Sequence, residues 1–283
     1  MTPRFPAAGR AKHAWPGAYN GPGRGATDPL QASSIPLPEL VAHRGNAVDF
    51  PENSLPAFAS ALDGGIPWVE LDVQLSADGI PFVVHDVRLE RTTGSQGDLR
   101  QLTARELDEV DAGEPRRFGG LHRGTRLPRL QEFAALLARH PAAGAFVELK
   151  RASLAHHGIA ACLGRVLDAL EPVAGRCVPI SFDAGAVAAA RDATGRPVGW
   201  VVERFDAACL DTLASLQPEF VFYDYLKVPP GEASLPAGPW RWAAYEVKDP
   251  ARALAEARRG ATLVESMAPL RLGAGLRAAA AGT

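Results

Sequence analysis

The sequence predicts an α/β chain folded as a (β/α)8 barrel, and three observations carry that prediction. Eight short β-rich runs alternate with helical patterns from residue 40 onward. The alternation fills about 230 residues, close to the roughly 250 usual for such a barrel. Ionisable residues gather at the C-terminal ends of the early runs, which is where a barrel of this kind carries its chemistry. A doubly wound open sheet shares the alternation, because periodicity does not report closure.

The predicted strands, in order, are residues 40–44, 68–73, 145–150, 177–182, 197–202, 220–224, 241–247 and 262–265, each rich in β-branched or aromatic side chains. Between them lie Ala- and Leu-rich helical patterns, among them residues 130–140, 156–170, 184–193 and 250–259. One segment breaks the order. After the second run the chain continues through Asp78-Gly79 to Phe82-Val83-Val84-His85, and Asp-Gly is a strong hairpin signal. With Asp78 and Gly79 as the two central turn residues, Asp72 is expected opposite His85 and Gln74 opposite Val83. Glu70 shares the face of Asp72, since strand side chains alternate with period two. The arm is therefore expected to gather Glu70, Asp72 and His85.

Residues 1–39 hold 5 Gly and 7 Pro, a density that reads as a flexible tail ahead of a folded unit over 40–283. Pro, Gly, Arg and His interrupt every apolar pair near Met1, so a secretory signal is not expected. The chain is 47% apolar with 30 basic against 32 acidic side chains, which supports a large core and argues against nucleic-acid binding by bulk charge. No run approaches the roughly 18 apolar residues of a membrane span. Three cysteines, Cys162, Cys177 and Cys209, lack the pairing of a zinc site or disulfide scaffold. They read as buried thiols in a reducing compartment, and the expected location is cytoplasmic.

The strand ends supply the chemistry. The first run closes in His43-Arg44-Gly45, the second in Glu70-Leu71-Asp72, the return arm in His85-Asp86, and the third in Glu148-Leu149-Lys150. Two carboxylates about 4 Å apart repel by roughly 4 kcal/mol at an effective dielectric near 20. Three converging ones, Glu70, Asp72 and Glu148, therefore need a cation or protons. An all-oxygen set favours one hard divalent cation, Mg²⁺ or Ca²⁺. The competing reading is ordinary salt bridges to Arg44 and Lys150. His43 and His85 suit a general acid and base pair, and Arg44 and Lys150 suit the clamping of a phosphoryl group. His13, His122, His140, His156 and His157 read as structural.

These residues resemble the glycerophosphodiester phosphodiesterase family. The resemblance runs from about residue 40 to residue 269 and rests on His43-Arg44-Gly45, Pro51-Glu52-Asn53-Ser54, Glu70-Leu71-Asp72-Val73, Asp78-Gly79, His85-Asp86, Arg91-Thr92-Thr93-Gly94 and Glu148-Leu149-Lys150. It implies a TIM barrel with a small insertion after His85, about residues 88–126, in which Thr103-x-x-Glu106 is a capping box opening a short helix. It implies His43 and His85 as the catalytic pair, Glu70, Asp72 and Glu148 as metal ligands, and Arg44 and Lys150 as phosphate contacts, with Glu52 and Asn53 bracing the site. The activity implied is metal-dependent hydrolysis of a small-molecule glycerophosphodiester to glycerol 3-phosphate and an alcohol. The attacking oxygen is water or the substrate's own neighbouring hydroxyl. A phospholipase D-like action on lysophospholipids and a non-catalytic phospho-ligand-binding barrel are the rival expectations.

The chain departs from the family pattern at two places. It reads Tyr245-Glu246-Val247-Lys248 where Trp-Thr-Val-Asn is usual, and Glu265-Ser266 where an Asp commonly follows the last strand. The first bears on the apolar wall around the alcohol or glycerol group, and both bear on substrate choice. Phe182, Trp200, Trp242 and Tyr245 are candidate pocket aromatics, with core filling as their alternative use.

Overall fold

The structure is a computed structural model that describes residues 36–228 and 234–281. The expected tail lies outside the described residues up to residue 35, and His13 lies there with it.

Among the described residues nine strands carry the fold: β1 (Glu39–His43), β2 (Trp68–Leu75), β3 (Pro81–Val83), β4 (Gly144–Leu149), β5 (Cys177–Ser181), β6 (Gly199–Val202), β7 (Phe220–Asp224), β8 (Arg241–Tyr245) and β9 (Ala261–Ser266). Eight are parallel in the spatial order β1-β9-β8-β7-β6-β5-β4-β2, and β1 pairs with β2 to close the ring. This is the TIM barrel. An open sheet would leave edges at β1 and β2, and here their backbone groups pair with each other. Each predicted run became one of these eight strands, with ends shifted by no more than two residues.

Alternation sorts the side chains between two cores. On β2, Val69, Leu71 and Val73 face outward and join Phe58 and Phe133 beneath the surrounding helices. Trp68 faces inward, into a cluster with Val41, Phe146, Ile180, Phe220, Phe222 and Leu263. Trp68 stacks on Phe146 at 4.7 Å, and Phe146 meets Phe220 and Phe222 edge-on at 4.9 Å each. Burying each such ring contributes about 2–3 kcal/mol. The same parity places the inward residues two positions further along each strand: His43 above Val41, Glu70 above Trp68, Glu148 above Phe146, Glu265 above Leu263. The polar groups thus rest on an apolar plug, and that floor governs their charge.

Two expectations are corrected. The hairpin register differs by one residue: Val73 pairs with Val83 and Gln74 with Phe82, so Asp72 is not opposite His85. Asp-Gly does mark the turn, but Gly79 takes the left-handed position (φ 78°) at the end of a three-residue loop, with Ser76 N–H donating to Ile80 O at 3.0 Å. The extra loop residue moves the pairing. Val84 N–H donates to Asp72 O at 2.9 Å, and His85 lies beyond the ladder, its carbonyl accepting from Gln74 Nε2 at 2.8 Å. The predicted helix over 156–170 is two helices, Arg151–His157 and Ile159–Leu170, broken at Gly158 (φ 83°). Apolar periodicity continues across that glycine, but the backbone there is left-handed and no helix passes through it.

The segment between His85 and Pro128 carries a small core of its own, Leu89, Leu99, Ala104, Leu107 and Ala112 against Phe82, Val84 and Leu127. Its helix Ala104–Asp108 opens on the expected capping box: Glu106 Oε2 accepts from Thr103 N–H at 2.8 Å while Thr103 Oγ1 accepts from Glu106 N–H at 3.4 Å.

All three cysteines are free and buried. Burial pushes the thiols of Cys162 and Cys209 up to about 11 and that of Cys177 to about 12. At about pH 8 the reactive thiolate is then below roughly 1% of each. A thiol-reactive dye is expected to label native protein very slowly and to titrate three thiols at once in denaturant. No helix among the described residues is long and apolar enough to cross a membrane.

Candidate active site

His43 ends β1, and the chain then turns sharply through Arg44 (φ 57°) and Gly45 (φ 85°). A left-handed arginine costs about 1 kcal/mol or more and persists only where neighbours hold it. Here Arg44 N–H donates to Glu70 O at 3.0 Å and Arg44 O accepts from Asn53 N–H at 3.0 Å. Gly45 lies against the first helix, where an added Cβ would come within 2.6 Å of Ala57 C and 2.8 Å of Phe58 N. Gly45→Ala is therefore expected to destabilise the fold by about 2 kcal/mol or more, read from denaturant midpoints. The loop closes on Asn53, which accepts from Asp72 N–H at 3.2 Å and donates to Asp72 Oδ2 at 2.8 Å.

Glu70, Asp72 and Glu148 converge: one carboxylate oxygen of each lies within 4.8 Å of the others. The register makes this unavoidable, since Asp72 pairs with Glu148 across β2 and β4 and Glu70 sits one inward position below. The salt-bridge reading also holds. Lys150 Nζ is 3.1 Å from Asp72 and 3.0 Å from Glu148, and Arg44 Nε is 3.1 Å from Asp72. Two cations do not offset the cluster, however. Burial, followed by the charges of Asp72, Glu265 and Glu148, raises Glu70 well above the usual carboxylate range. Burial pushes Glu148 up to about 7 against the pull of Lys150. Asp72 is the exception: burial works against its charge, yet Lys150 and Arg44 hold it far below the ordinary value.

A second, overlapping group joins His43, Glu70 and Glu265, again with donor atoms within 4.8 Å of one another. Glu265 is buried, its Oε1 has no hydrogen-bond partner, and burial with the nearby Glu246 pushes it up to about 7 against the charge of His43. An orphaned buried carboxylate oxygen beside three crowded carboxylates is a donor set that fits a hard cation. The group at Glu70, Asp72 and Glu148 could hold one.

Each histidine has its own carboxylate. His43 Nδ1 lies 2.6 Å from Glu246 Oε2, and Met267 N–H donates to Glu246 Oε1 at 2.8 Å. His85 Nδ1 lies 2.5 Å from Asp86 Oδ1, and Arg91 Nε donates to Asp86 Oδ2 at 2.5 Å. Arg91 also donates to both oxygens of Glu52 at 2.7 Å, and Glu52 accepts from Arg44 Nη1 at 2.9 Å. That chain of ion pairs ties the segment after His85 to the strand ends. His43 is raised: burial lowers it, but Glu265 and the Glu246 bond outweigh burial. His85 is lowered by burial, with Arg44 and Lys150 adding to that effect.

Sequence reasoning brought Glu70, Asp72, Glu148, Arg44, Lys150, His43 and His85 to one end of the barrel, and the structure does bring them together. It missed Glu246 and Glu265, reading their positions as departures from the family pattern that bear on substrate choice. The strand-end rule held the signal for Glu265, since that residue closes the last predicted run.

A cavity of about 500 Å³ opens beside the cluster, lined by Gln74, His85, Asp86, Glu148, Lys150 and Phe182 among others. Phe182 is thus a pocket residue. Trp200 and Trp242 belong to the outer core, and Tyr245 packs on the inner plug. Of the remaining described histidines, His122 packs on Phe50 and Phe118, His140 faces Asp63 at 3.6 Å, and His156 packs on His157.

Comparison with known proteins points to one family. A glycerophosphodiester phosphodiesterase of Caldanaerobacter subterraneus is 40% identical over 98 residues, which is 35% of this chain and 40% of that protein. One of Bacillus altitudinis is 35% identical over 123 residues, 44% of this chain and 49% of that protein. The match therefore spans less than half the length of either relative. Among solved structures, an Oleispira antarctica phosphodiesterase in complex with the product sn-glycerol-3-phosphate superimposes with a TM-score of 0.75 at 26% identity, covering 85% of this chain and 97% of that one. The model of the glycerophosphoryl diester phosphodiesterase family matches residues 43–229, from the histidine that closes β1 through β7. The stretch includes every residue that the strand-end rule selected, and the chain belongs to that family.

Proposed function

We propose that this chain hydrolyses glycerophosphodiesters to glycerol 3-phosphate and an alcohol, with a divalent cation and two histidines. The observation that carries the reading is the meeting of Glu70, Asp72 and Glu148 with Arg44, Lys150, His43 and His85 at the C-terminal mouth of the barrel. The product held by the Oleispira relative supports the choice of substrate.

Glu70, Asp72 and Glu148 would hold Mg²⁺ or Ca²⁺, which when bound draws charge from the phosphoryl oxygens as a Lewis acid. Lys150 and Arg44 bind the phosphate and stabilise charge growing on it. With Nδ1 of each histidine engaged by a carboxylate, Nε2 is the nitrogen left for proton transfer. One imidazole takes a proton from the attacking hydroxyl, and the other gives one to the departing alkoxide. Phe182 and the cavity beside Lys150 receive the alcohol group. We treat residues 40–283 as one catalytic unit with an insertion over 88–126, and three unpaired thiols support a reducing, cytoplasmic setting.

The test is release of glycerol 3-phosphate from glycerophosphocholine, with and without chelator. Turnover is expected with Mg²⁺ or Ca²⁺ and none after chelation. Faster turnover of lysophospholipids would favour the phospholipase D-like reading, and a cyclic phosphate product would identify the substrate's own hydroxyl as attacker. Phosphate-ligand binding without turnover of any head group would overturn the enzyme reading.

A further inference from the structure

We propose that Glu246 is the positioning residue of His43, fixing the proton on Nδ1 and aiming Nε2 at the reacting centre. The proposal rests on the reading of His43 as an acid–base group. A carboxylate only accepts hydrogen bonds, so a short contact from Glu246 Oε2 to Nδ1, 2.6 Å, requires Nδ1 to carry its hydrogen. The neutral ring then keeps its lone pair on Nε2, and the charged ring carries its transferable proton there. Nε2 faces the carboxylate cluster, 3.9 Å from Glu70 Oε2.

Glu246 is itself held. Met267 N–H donates to its second oxygen at 2.8 Å, so the carboxylate is fixed by main chain as well as by the ring it orients. The three partners follow or end adjacent strands, β8, β9 and β1, and Glu246 and His43 are 203 residues apart in sequence. The contact therefore exists only when the first and last strands of the chain pair. His85 has its counterpart in the next residue, Asp86, at 2.5 Å. Both imidazoles are oriented in the same way by carboxylates from unrelated parts of the chain. Around His43 the other charged groups are Glu70 on β2, Glu265 on β9 and Arg44 after β1. None of these contacts Nδ1, so none substitutes for Glu246.

The alternative is that Glu246 only braces the loop after β9 through Met267. Glu246→Gln separates the two uses, because an amide oxygen still accepts from Met267 N–H, while the amide is neutral and is free to donate to Nδ1 instead. The test uses the full chain with saturating cation, comparing wild type with Glu246→Gln, Glu246→Asp and Glu246→Ala. Nitrogen-15 spectra of the His43 ring report the tautomer, and kcat and KM are followed across pH. Glu246→Gln and Glu246→Ala are expected to lower kcat by about 10²- to 10⁴-fold with KM little changed. The ring should populate the Nε2–H tautomer, and the pH limb reporting His43 should move to lower pH, since a negative neighbour is lost. Glu246→Asp should recover part of kcat and the Nδ1–H tautomer. An unchanged tautomer and pH limb in Glu246→Gln would overturn the proposal, whether or not kcat fell. The ring spectra decide this even if wild type turns over no glycerophosphodiester, an outcome that would sink the activity reading separately.

Discussion

Glu70→Gln is expected to abolish turnover and, in metal-free protein, to raise stability. The two effects have one cause. Glu70 is buried among Asp72, Glu148 and Glu265, and its ordinary cationic partners, Arg44 and Lys150, are committed to Asp72, Glu52 and Glu148. A pair of carboxylates about 4 Å apart repels by up to roughly 4 kcal/mol at an effective dielectric near 20, so removing one charge relieves the folded state. Each kcal/mol recovered is worth about 2–4 °C in Tm for a chain of this size. Cation binding, measured by calorimetry, should weaken by at least about tenfold. A Glu70→Gln protein that binds the cation normally and turns over would refute the ligand assignment.

The same crowding sets a pH dependence. Glu148 and Glu265 lie at about 7, and Glu70 is raised as well, whereas unfolded glutamates titrate near their usual value. Between about pH 4.5 and pH 7 the folded chain therefore binds protons that the unfolded chain has released, and stability falls as pH rises. His43, also raised, acts with the same sign; His85, lowered, acts against it. Asp72 protonates only in strong acid, outside this window. Metal-free protein should thus melt higher at about pH 5.5 than at about pH 8, and excess Mg²⁺ or Ca²⁺ should recover most of the difference at the higher pH. A metal-free Tm that rises with pH across this range would contradict the cluster's electrostatics.

His43→Ala and His85→Ala form the second large effect. Each should lower kcat by about 10²- to 10⁴-fold, the usual worth of one placed proton transfer. Their side chains keep 14% and 32% exposure on the active-site side, so neither change opens a void in the core. Melting temperature and cation affinity should stay close to wild type. The double variant should be little slower than the slower single one, because acid and base act in one step. Retained activity in both single variants would remove the histidines from the mechanism.

The readings that succeeded from sequence were those whose physics is local. Side chains on a strand alternate with period two, so Glu70 and Asp72 had to share a face, and Glu148 closing another run had to lie at the same end of any parallel barrel. The helix broken at Gly158 and the hairpin shifted by one residue failed for a related reason. Local backbone conformation decided each: a left-handed Gly158 stops the helix, and Asp78, which is not left-handed, gives a three-residue loop in place of a two-residue turn. Neither an apolar pattern nor the Asp-Gly pair registers this.

By itself the sequence determined the eight strands of the barrel, the end that bears the charges, and seven of the residues found there. Closure decided the rest. Only when β1, the first strand, pairs with β9, the last, do Glu246 and Glu265 arrive beside His43. That proximity depends on pairing between the first and last strands of the chain, a relation between residues some two hundred positions apart that no local window contains.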